Sequence, residues 1–479
     1  MQLTEAQIFE IRRLARVELA RRFAKASDIL NWGKWLFPEK FELPFCQELH
    51  GYLVSILYEE FTNTEAPRNH AKTLIECFLV PLFLSVHEPQ RYRHYLNVQA
   101  TDDKALSINR SIKGEIEENR ELRELYGDLK GERWTDEQFV LKSGVVFTAI
   151  GTGKSIRGIN YRHKRPDYII VDDLYDEKDI NNPESTAGKT SWFWSSLYPA
   201  RAKSRKCAIR VQGTAINKKD ILEELKQQPD VISRTFKAIK NWETQEVLWP
   251  ELNNFEQLMG DKRKMGSVIF LREMQNERRD DATSIIKTAW LENWEFDPAD
   301  LATKIRAGHL VFVSKRLGAD PSIGEKVIND FTGMALIIKT QQPDGAGNDF
   351  WIMGLWNEHA SLNERVLLID KIGKDQPTES PLNEVIIEGV AGFKDFGIEV
   401  GRRTNLPVTI VDRPKDKITN LENKSHYFEN FKVHISKNIS AELKEMLKEQ
   451  LTNNYPSHDD VRDGLLLTID DDSDQWAGY

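Results

Sequence analysis

Two stretches of this 479-residue sequence could hold a nucleotide phosphate. The run Ala66-Pro67-Arg68-Asn69-His70-Ala71-Lys72-Thr73 has the eight-residue spacing of a phosphate loop, with alanine where both glycines normally stand. Its backbone N–H groups would cradle phosphates, Lys72 would reach the outer ones and Thr73 would meet Mg²⁺. The alanines cost the loop some freedom to adopt left-handed geometry. The second stretch, Gly151-Thr152-Gly153-Lys154-Ser155, has a more familiar ending, but Thr148 stands where its first glycine is needed. Arg157, Gly158 and Asn160 then follow in a basic loop, not in a long helix whose N-terminus could receive a phosphate. Spacing, and the apolar run that begins at Leu74, favour Lys72 over Lys154. Downstream, Asp167-Tyr168-Ile169-Ile170-Val171-Asp172-Asp173 is an apolar strand pattern closed by two carboxylates. It would put Asp172 at the Mg²⁺ shell, with Asp173 or Glu177 as the base that orients water. Arg210-Val211-Gln212-Gly213-Thr214 ends another strand pattern in Gly-Thr, where a γ-phosphate sensor would stand. Each segment alone also reads as a plain loop, turn or cap; the order of the three points to ATP.

The second half places acids where strands should end. Asp320 follows Leu310–Ala319, Glu388 closes Glu384–Glu388, and His458-Asp459-Asp460-Val461-Arg462-Asp463 opens a C-terminal helix. Asp463 falls on the same helix face as the first acids. Carboxylates converging from two strands and a helix can hold two Mg²⁺ or Mn²⁺ ions roughly 3.5–4 Å apart, which stabilises the attacking and leaving oxygens of a phosphodiester. Acids so close would repel one another without the metal. Any one of these acids is ordinary; the set on this strand order is a ribonuclease-H-like signal.

The elements that must position these residues form two α/β patterns. A helical segment spans residues 1–35. From 36 to 255, helices alternate with β-rich runs at Tyr95–Ala100, Gly144–Ala149, Tyr168–Val171, Ala208–Gln212 and Val231–Ile239, which indicates a mostly parallel sheet with helices on its faces. Residues 256–300 are polar, charged and helix-prone and are expected to be a linker. From 301 to 479 the strands are expected at Leu310–Val313, Gly333–Lys339, Phe350–Trp356, Glu384–Glu388, Pro407–Val411 and Phe431–Ile435. Phe61–Glu65, just before the phosphate loop, is more polar than a buried strand should be. The apolar fraction of 40% and charged fraction of 29% suit a globular chain with real cores. Cys46, Cys77 and Cys207 have no metal-ligand spacing and fit a reducing cytosol. The longest apolar run, Leu74–Val86, is too short to span a bilayer. The net charge of −9 leaves nucleic-acid binding to local basic patches, with Arg162–Arg165, Arg201–Lys206 and the pair Arg402 and Arg403 as candidates.

Taken in order, these pieces resemble the large terminase subunits of tailed bacteriophages over nearly the whole chain. They are Ala66–Thr73, Gln99-Ala100-Thr101-Asp102, Gly151–Gly158, Asp172-Asp173, Gly213-Thr214, Leu248-Trp249-Pro250-Glu251 and the acids ending in His458-Asp459-Asp460. The resemblance implies a P-loop ATPase domain of the ASCE type joined to a ribonuclease-H-like nuclease. It implies ATP with Mg²⁺ in the first domain and two Mg²⁺ or Mn²⁺ ions in the second. The expected partners are double-stranded DNA, the portal protein of a capsid, the small terminase subunit and further copies of the chain in a ring, five being expected, in the host cell cytoplasm. Arg68 matches the position of an arginine that completes the ATP site from the phosphate loop, and Arg157 that of one acting from a neighbouring subunit. The alanines at 66 and 71, and Asp173 where glutamate is usual, depart from the family pattern. An ATP-dependent repair nuclease or helicase is the alternative, and the further helicase motifs it needs after residue 215 are absent.

Overall fold

Six short strands of the first half run parallel, and the central ones are buried on both faces, so helices must cover the sheet from both sides. The computed structural model describes residues 28–156, 159–176, 182–217, 219–278, 284–321, 332–345, 347–358, 361–377, 380–389, 394–411, 417–454 and 458–469, with Asp179, Pro456 and scattered positions before 28. Two compact units emerge, one of Met1–Gly260 with Phe270–Arg279 and one of Asp261–Ile269 with Asp280–Tyr479.

The first unit is built on strands β1 (Phe61–Glu65), β2 (His94–Gln99), β3 (Lys130–Trp134), β4 (Gln138–Leu141), β5 (Val146–Gly151), β6 (Tyr168–Asp172), β7 (Ala208–Gly213) and β8 (Ile232–Thr235). Their order is β3-β4-β5-β2-β6-β7-β1-β8. Only β4 runs against the rest, antiparallel to both β3 and β5 near one edge. A small hairpin, β9 (Ile239–Asn241) and β10 (Glu246–Val247), stands apart from the sheet. One face packs on Phe78, Leu82 and Phe83 from the apolar segment after Ala66–Thr73, with Trp32 and Leu36 behind them. The other packs on Phe193, Leu197, Ile221 and Leu225.

The expectation that Phe61–Glu65 is too polar for a buried strand is overturned, and the reason is pairing. All five residues are buried. Asn63 donates to the Leu222 carbonyl at 2.8 Å, and Arg210 donates to Thr62 at 3.0 Å. Glu65 is held by Lys226 at 2.6 Å, Thr235 at 2.7 Å and Arg278. Buried polar groups so satisfied carry little penalty.

The second unit holds β11 (Glu295–Phe296), β12 (Val311–Asp320), β13 (Thr332–Gln341), β14 (Asn348–Glu358), β15 (Glu384–Glu388), β16 (Val408–Val411) and β17 (Val433–Ser436), in the order β11-β17-β14-β13-β12-β15-β16. β12, β13 and β14 form an antiparallel meander, and β15 and β16 continue it in parallel. Val461 and Leu465 cover one face, together with Ile285 and Ile286. Val366, Ile369 and Val400 cover the other.

Residues 256–300 are not a free linker. Phe255–Gln275 is helical, broken at Gly266, where φ is 81° and a Cβ would meet His426 at 3.0 Å. Ile285, Ile286, Leu291 and Trp294 then enter the core of the second unit. Apolar side chains in a charged stretch supply that anchorage. Among the described residues no helix is long and apolar enough to cross a membrane, and the three cysteines are free.

Candidate active sites

Ala66–Thr73 leaves the end of β1 and turns directly into the helical segment Leu74–Leu79, continued by Val80–His87. Asn69 and Ala71 adopt left-handed backbone, with φ of 62° and 57°. Ala71 thus takes the conformation that glycine usually provides, at a cost of roughly 1 kcal/mol. The loop is braced from behind. The Ala66 N–H donates to the Gly213 carbonyl at 3.1 Å and the Arg68 N–H to the Glu273 carbonyl at 2.9 Å. The His50 ring donates to the His70 carbonyl at 3.0 Å and packs edge-on against Trp249. Burial pushes His70 down to about 4, so its neutral ring donates to the Arg68 carbonyl at 2.8 Å.

The loop's functional groups converge on the ends of β6 and β7. Lys72 donates to Thr214 at 3.2 Å and lies 3.9 Å from Asp173. The Thr73 hydroxyl donates to Asp172 at 2.7 Å. Asp172 is buried at the end of β6, flanked in register by Gln99 of β2 and Gln212 of β7. Each glutamine amide donates to one Asp172 oxygen at 3.0 Å. Burial, and then the Asp173 charge, push the Asp172 carboxyl up to about 6. An anion held so unfavourably, beside a threonine hydroxyl, is the hard oxygen pair that a divalent cation fits. Asp173 has a left-handed φ of 44°, accepts from the Thr214 N–H at 3.2 Å and stays partly exposed. One helical turn past Thr73, Glu76 is fully buried with neither oxygen hydrogen-bonded; burial pushes it up to about 7.

Gly151–Ser155 is built differently. Gly151 closes β5, its N–H donates to Asp102 at 2.8 Å, and the exposed Lys154 pairs with the same Asp102 at 2.5 Å. No helix follows it among the described residues. Arg68 projects outward and pairs with Glu273 at 3.6 Å. Arg157 and Glu177 lie outside the described residues.

In the second unit, Asp320 ends β12 and Glu388 ends β15. The two strands are parallel neighbours with Ala319 opposite Ile387, so these acids stand side by side. The helix Asp460–Thr468 lies flat on β12 and β13 because three glycines let it. A Cβ on Gly318 would meet the Gly464 carbonyl oxygen at 2.0 Å, and one on Gly333 would meet the Asp460 backbone at 2.0 Å. Gly333 is also the cross-strand partner of Asp320, which sets Asp460 at the same sheet end. Burial, and then Asp459, raise the Asp460 carboxyl above the usual range.

The other two acids are engaged elsewhere. Lys417 pairs with Asp459 at 2.8 Å and with Asp463 at 2.7 Å, while Arg462 reaches Asp459 at 3.0 Å and Asp463 at 3.4 Å. Asp463 has no exposed surface. Both acids, expected as metal ligands, are thus ion-paired with Lys417 and Arg462. Among the described residues no three acids, histidines or cysteines are close enough to hold a metal. Asp320, Glu388 and Asp460 keep the hard donor chemistry that Mg²⁺ or Mn²⁺ takes.

Sequence reasoning missed Gln99 and Gln212 as holders of Asp172, although both stand at strand ends. It missed Lys417 altogether, since a lysine far along the chain from its acids carries no local signal.

The fold is therefore two-part: a mostly parallel α/β sheet whose first strand runs through an eight-residue loop into a helix, followed by a second α/β sheet of ribonuclease-H-like strand order. No protein-family model and no curated protein matches the sequence. Among solved structures, a large terminase from a thermophilic bacteriophage aligns with 86% of this chain and 94% of its own, at 9% identity and a TM-score of 0.49. The large terminase ATPase domain of a Thermus phage covers 46% of this chain and 89% of its own, at 15% identity and a TM-score of 0.31. The human cytomegalovirus terminase nuclease domain covers 38% and 92%, at 16% identity and a TM-score of 0.28. These are similarities of chain trace between sequences of low identity.

Proposed function

We propose that the chain is a DNA-packaging motor and nuclease of the large terminase kind, which hydrolyses ATP to drive double-stranded DNA into a capsid and cuts it. One observation carries this reading: Lys72, Thr73, Asp172, Asp173 and Thr214 meet at the end of one parallel sheet, with Thr73 and Asp172 2.7 Å apart. In this account Lys72 and the loop N–H groups bind the outer phosphates. Thr73 and Asp172 would hold Mg²⁺, which would neutralise phosphate charge. Gln99 and Gln212 fix the Asp172 carboxylate. Asp173 orients the attacking water and takes its proton, and Thr214 reports the state of the phosphates through its contacts with Lys72 and Asp173. Arg157, supplied by a neighbouring copy, or Arg68 adds positive charge at the reacting phosphoryl group.

In the second unit Asp320, Glu388 and Asp460 would hold the metal pair, which would supply activation of water and charge neutralisation at the phosphodiester. Lys417 and Arg462 hold Asp459 and Asp463 in place at the mouth of that site. Residues 36–255 serve as the motor and 301–479 as the nuclease. The portal protein, the small terminase subunit and a ring of copies, five in number by the family resemblance, complete the machine in the host cytoplasm. The test is plasmid digestion with Mg²⁺ or Mn²⁺ by the full chain and by Asp320→Asn. Loss of cutting with ATP hydrolysis intact supports the reading; cutting by the variant at the wild-type rate refutes it.

A further inference from the structure

The end of the first sheet opposite the phosphate loop, where the central strands begin, is strongly basic in a chain whose net charge is −9. Arg91, Tyr92, Arg93, Ser204, Arg205 and Lys206 line an open concavity of about 660 Å³ there. Arg93 immediately precedes β2, Arg165 lies just before β6 and Lys206 just before β7. These three strands are adjacent, so the cations form a row about 10 Å across.

The acids nearby are already committed. Glu88 pairs with Arg91 at 3.3 Å, buried Asp167 with Arg205 at 3.1 Å, and Glu132 with Arg162 at 3.2 Å. Arg93, Arg165 and Lys206 are exposed and carry no ion pair among the described residues. Arg91 is held against the Tyr58 ring at 3.7 Å, and Arg205 donates to the Gln90 carbonyl at 2.8 Å, so the walls are fixed. The cations also feel one another: Lys164 is held below its ordinary range by burial and then by Arg93 and Arg162.

We propose that this sheet end, centred on Arg93, Arg165 and Lys206, is a docking groove for the phosphodiester backbone of duplex DNA. One DNA strand presents a phosphate every 3.4 Å of axis, so a row about 10 Å long meets about three of them. A line of unpaired cations on rigid strand ends suits that regular array better than an irregular acidic peptide. Glu59 and Glu60, just before β1 on the far side of β7, bound the row by repelling phosphate. The identity of the polymer rests on the motor-nuclease reading; the placement of the groove does not.

The experiment measures fluorescence anisotropy of a short labelled duplex with the full chain, in chelator and without nucleotide, over a salt series. The double variant Arg93→Ala/Lys206→Ala should bind about tenfold more weakly, equally across sequences, and the slope of log affinity against log salt should become shallower by about 2. The charge-keeping Arg93→Lys/Lys206→Arg should retain the wild-type slope, which separates lost charge from misfolding. Wild-type affinity and slope in the alanine variant overturn the groove. If that result comes with intact ATP hydrolysis and DNA cutting, the groove is wrong and the motor-nuclease reading stands. Loss of salt-dependent binding in a chain that neither hydrolyses ATP nor cuts DNA leaves the groove and removes the motor-nuclease reading.

Discussion

Asp172→Asn should stop ATP turnover and yet make the first unit more stable at neutral pH. Burial and the Asp173 charge push the Asp172 carboxyl from 3.8 up to about 6. The native state therefore binds the proton more tightly than the unfolded chain does. Stability falls as pH rises through the window from about 4 to about 6, and the full cost is present above it. A shift of that size corresponds to about 3 kcal/mol at pH 8, shrinking to about 1 kcal/mol near pH 4.5. Asparagine carries no charge and escapes that cost. Its amide can also be satisfied in place: Gln212 Oε1 has no partner, so a flip of that side chain lets it accept from the new amide while Gln99 continues to donate. The assay is thermal melting of wild type and variant across pH, free of metal and nucleotide. The first transition of the variant should lie several degrees higher at pH 8 and approach that of wild type near pH 4.5. Addition of Mg²⁺ and a nucleotide should reverse the order, because only wild type holds the cation fully. A variant that melts lower than wild type at pH 8, or a gap that does not change with pH, refutes the electrostatic picture of this site.

Three further outcomes follow from single contacts. Ala71→Val forces a β-branched side chain into left-handed backbone and should cost about 2 kcal/mol in the loop conformation, read as weakened binding of a fluorescent ATP analogue. Lys417→Ala removes the 2.7 Å ion pair of the fully buried Asp463 and should destabilise the second unit by roughly 3 kcal/mol at neutral pH, measured by urea unfolding. Gly333→Ala places a methyl 2.0 Å from the Asp460 backbone, so the helix Asp460–Thr468 must lift; DNA cutting should be lost while ATP hydrolysis persists, and wild-type cutting would contradict the close packing.

The parts legible in the sequence are those whose physics is local. Tyr168–Asp172 and Glu384–Glu388 are β-branched apolar runs closed by an acid, and both are strands ending where the acid stands. The eight-residue spacing before Leu74 likewise locates the loop, because the apolar run after it can only be a covered helix. Phe61–Glu65 was illegible because its partners are remote: Glu65 meets Arg278 213 positions away, and Asn63 meets Leu222 159 positions away. Asp459 and Asp463 look like metal ligands in sequence, and the lysine that claims Asp459 stands 42 residues earlier. The flat seat of the last helix needed three glycines from three segments, Gly318, Gly333 and Gly464, none of which is unusual alone.

In the proposed function Lys72, not Lys154, serves the nucleotide. Lys72 is buried against Thr214 and Asp173 beside the Thr73–Asp172 pair, whereas Lys154 is exposed and tied to Asp102. The most direct measurement is the rate of ATP hydrolysis with Mg²⁺ and duplex DNA for the full chain, Lys72→Ala and Lys154→Ala. Hydrolysis abolished in Lys72→Ala and at least partly retained in Lys154→Ala is the predicted result. Hydrolysis that survives in Lys72→Ala and disappears in Lys154→Ala would place the phosphates at Gly151–Ser155 and contradict the account.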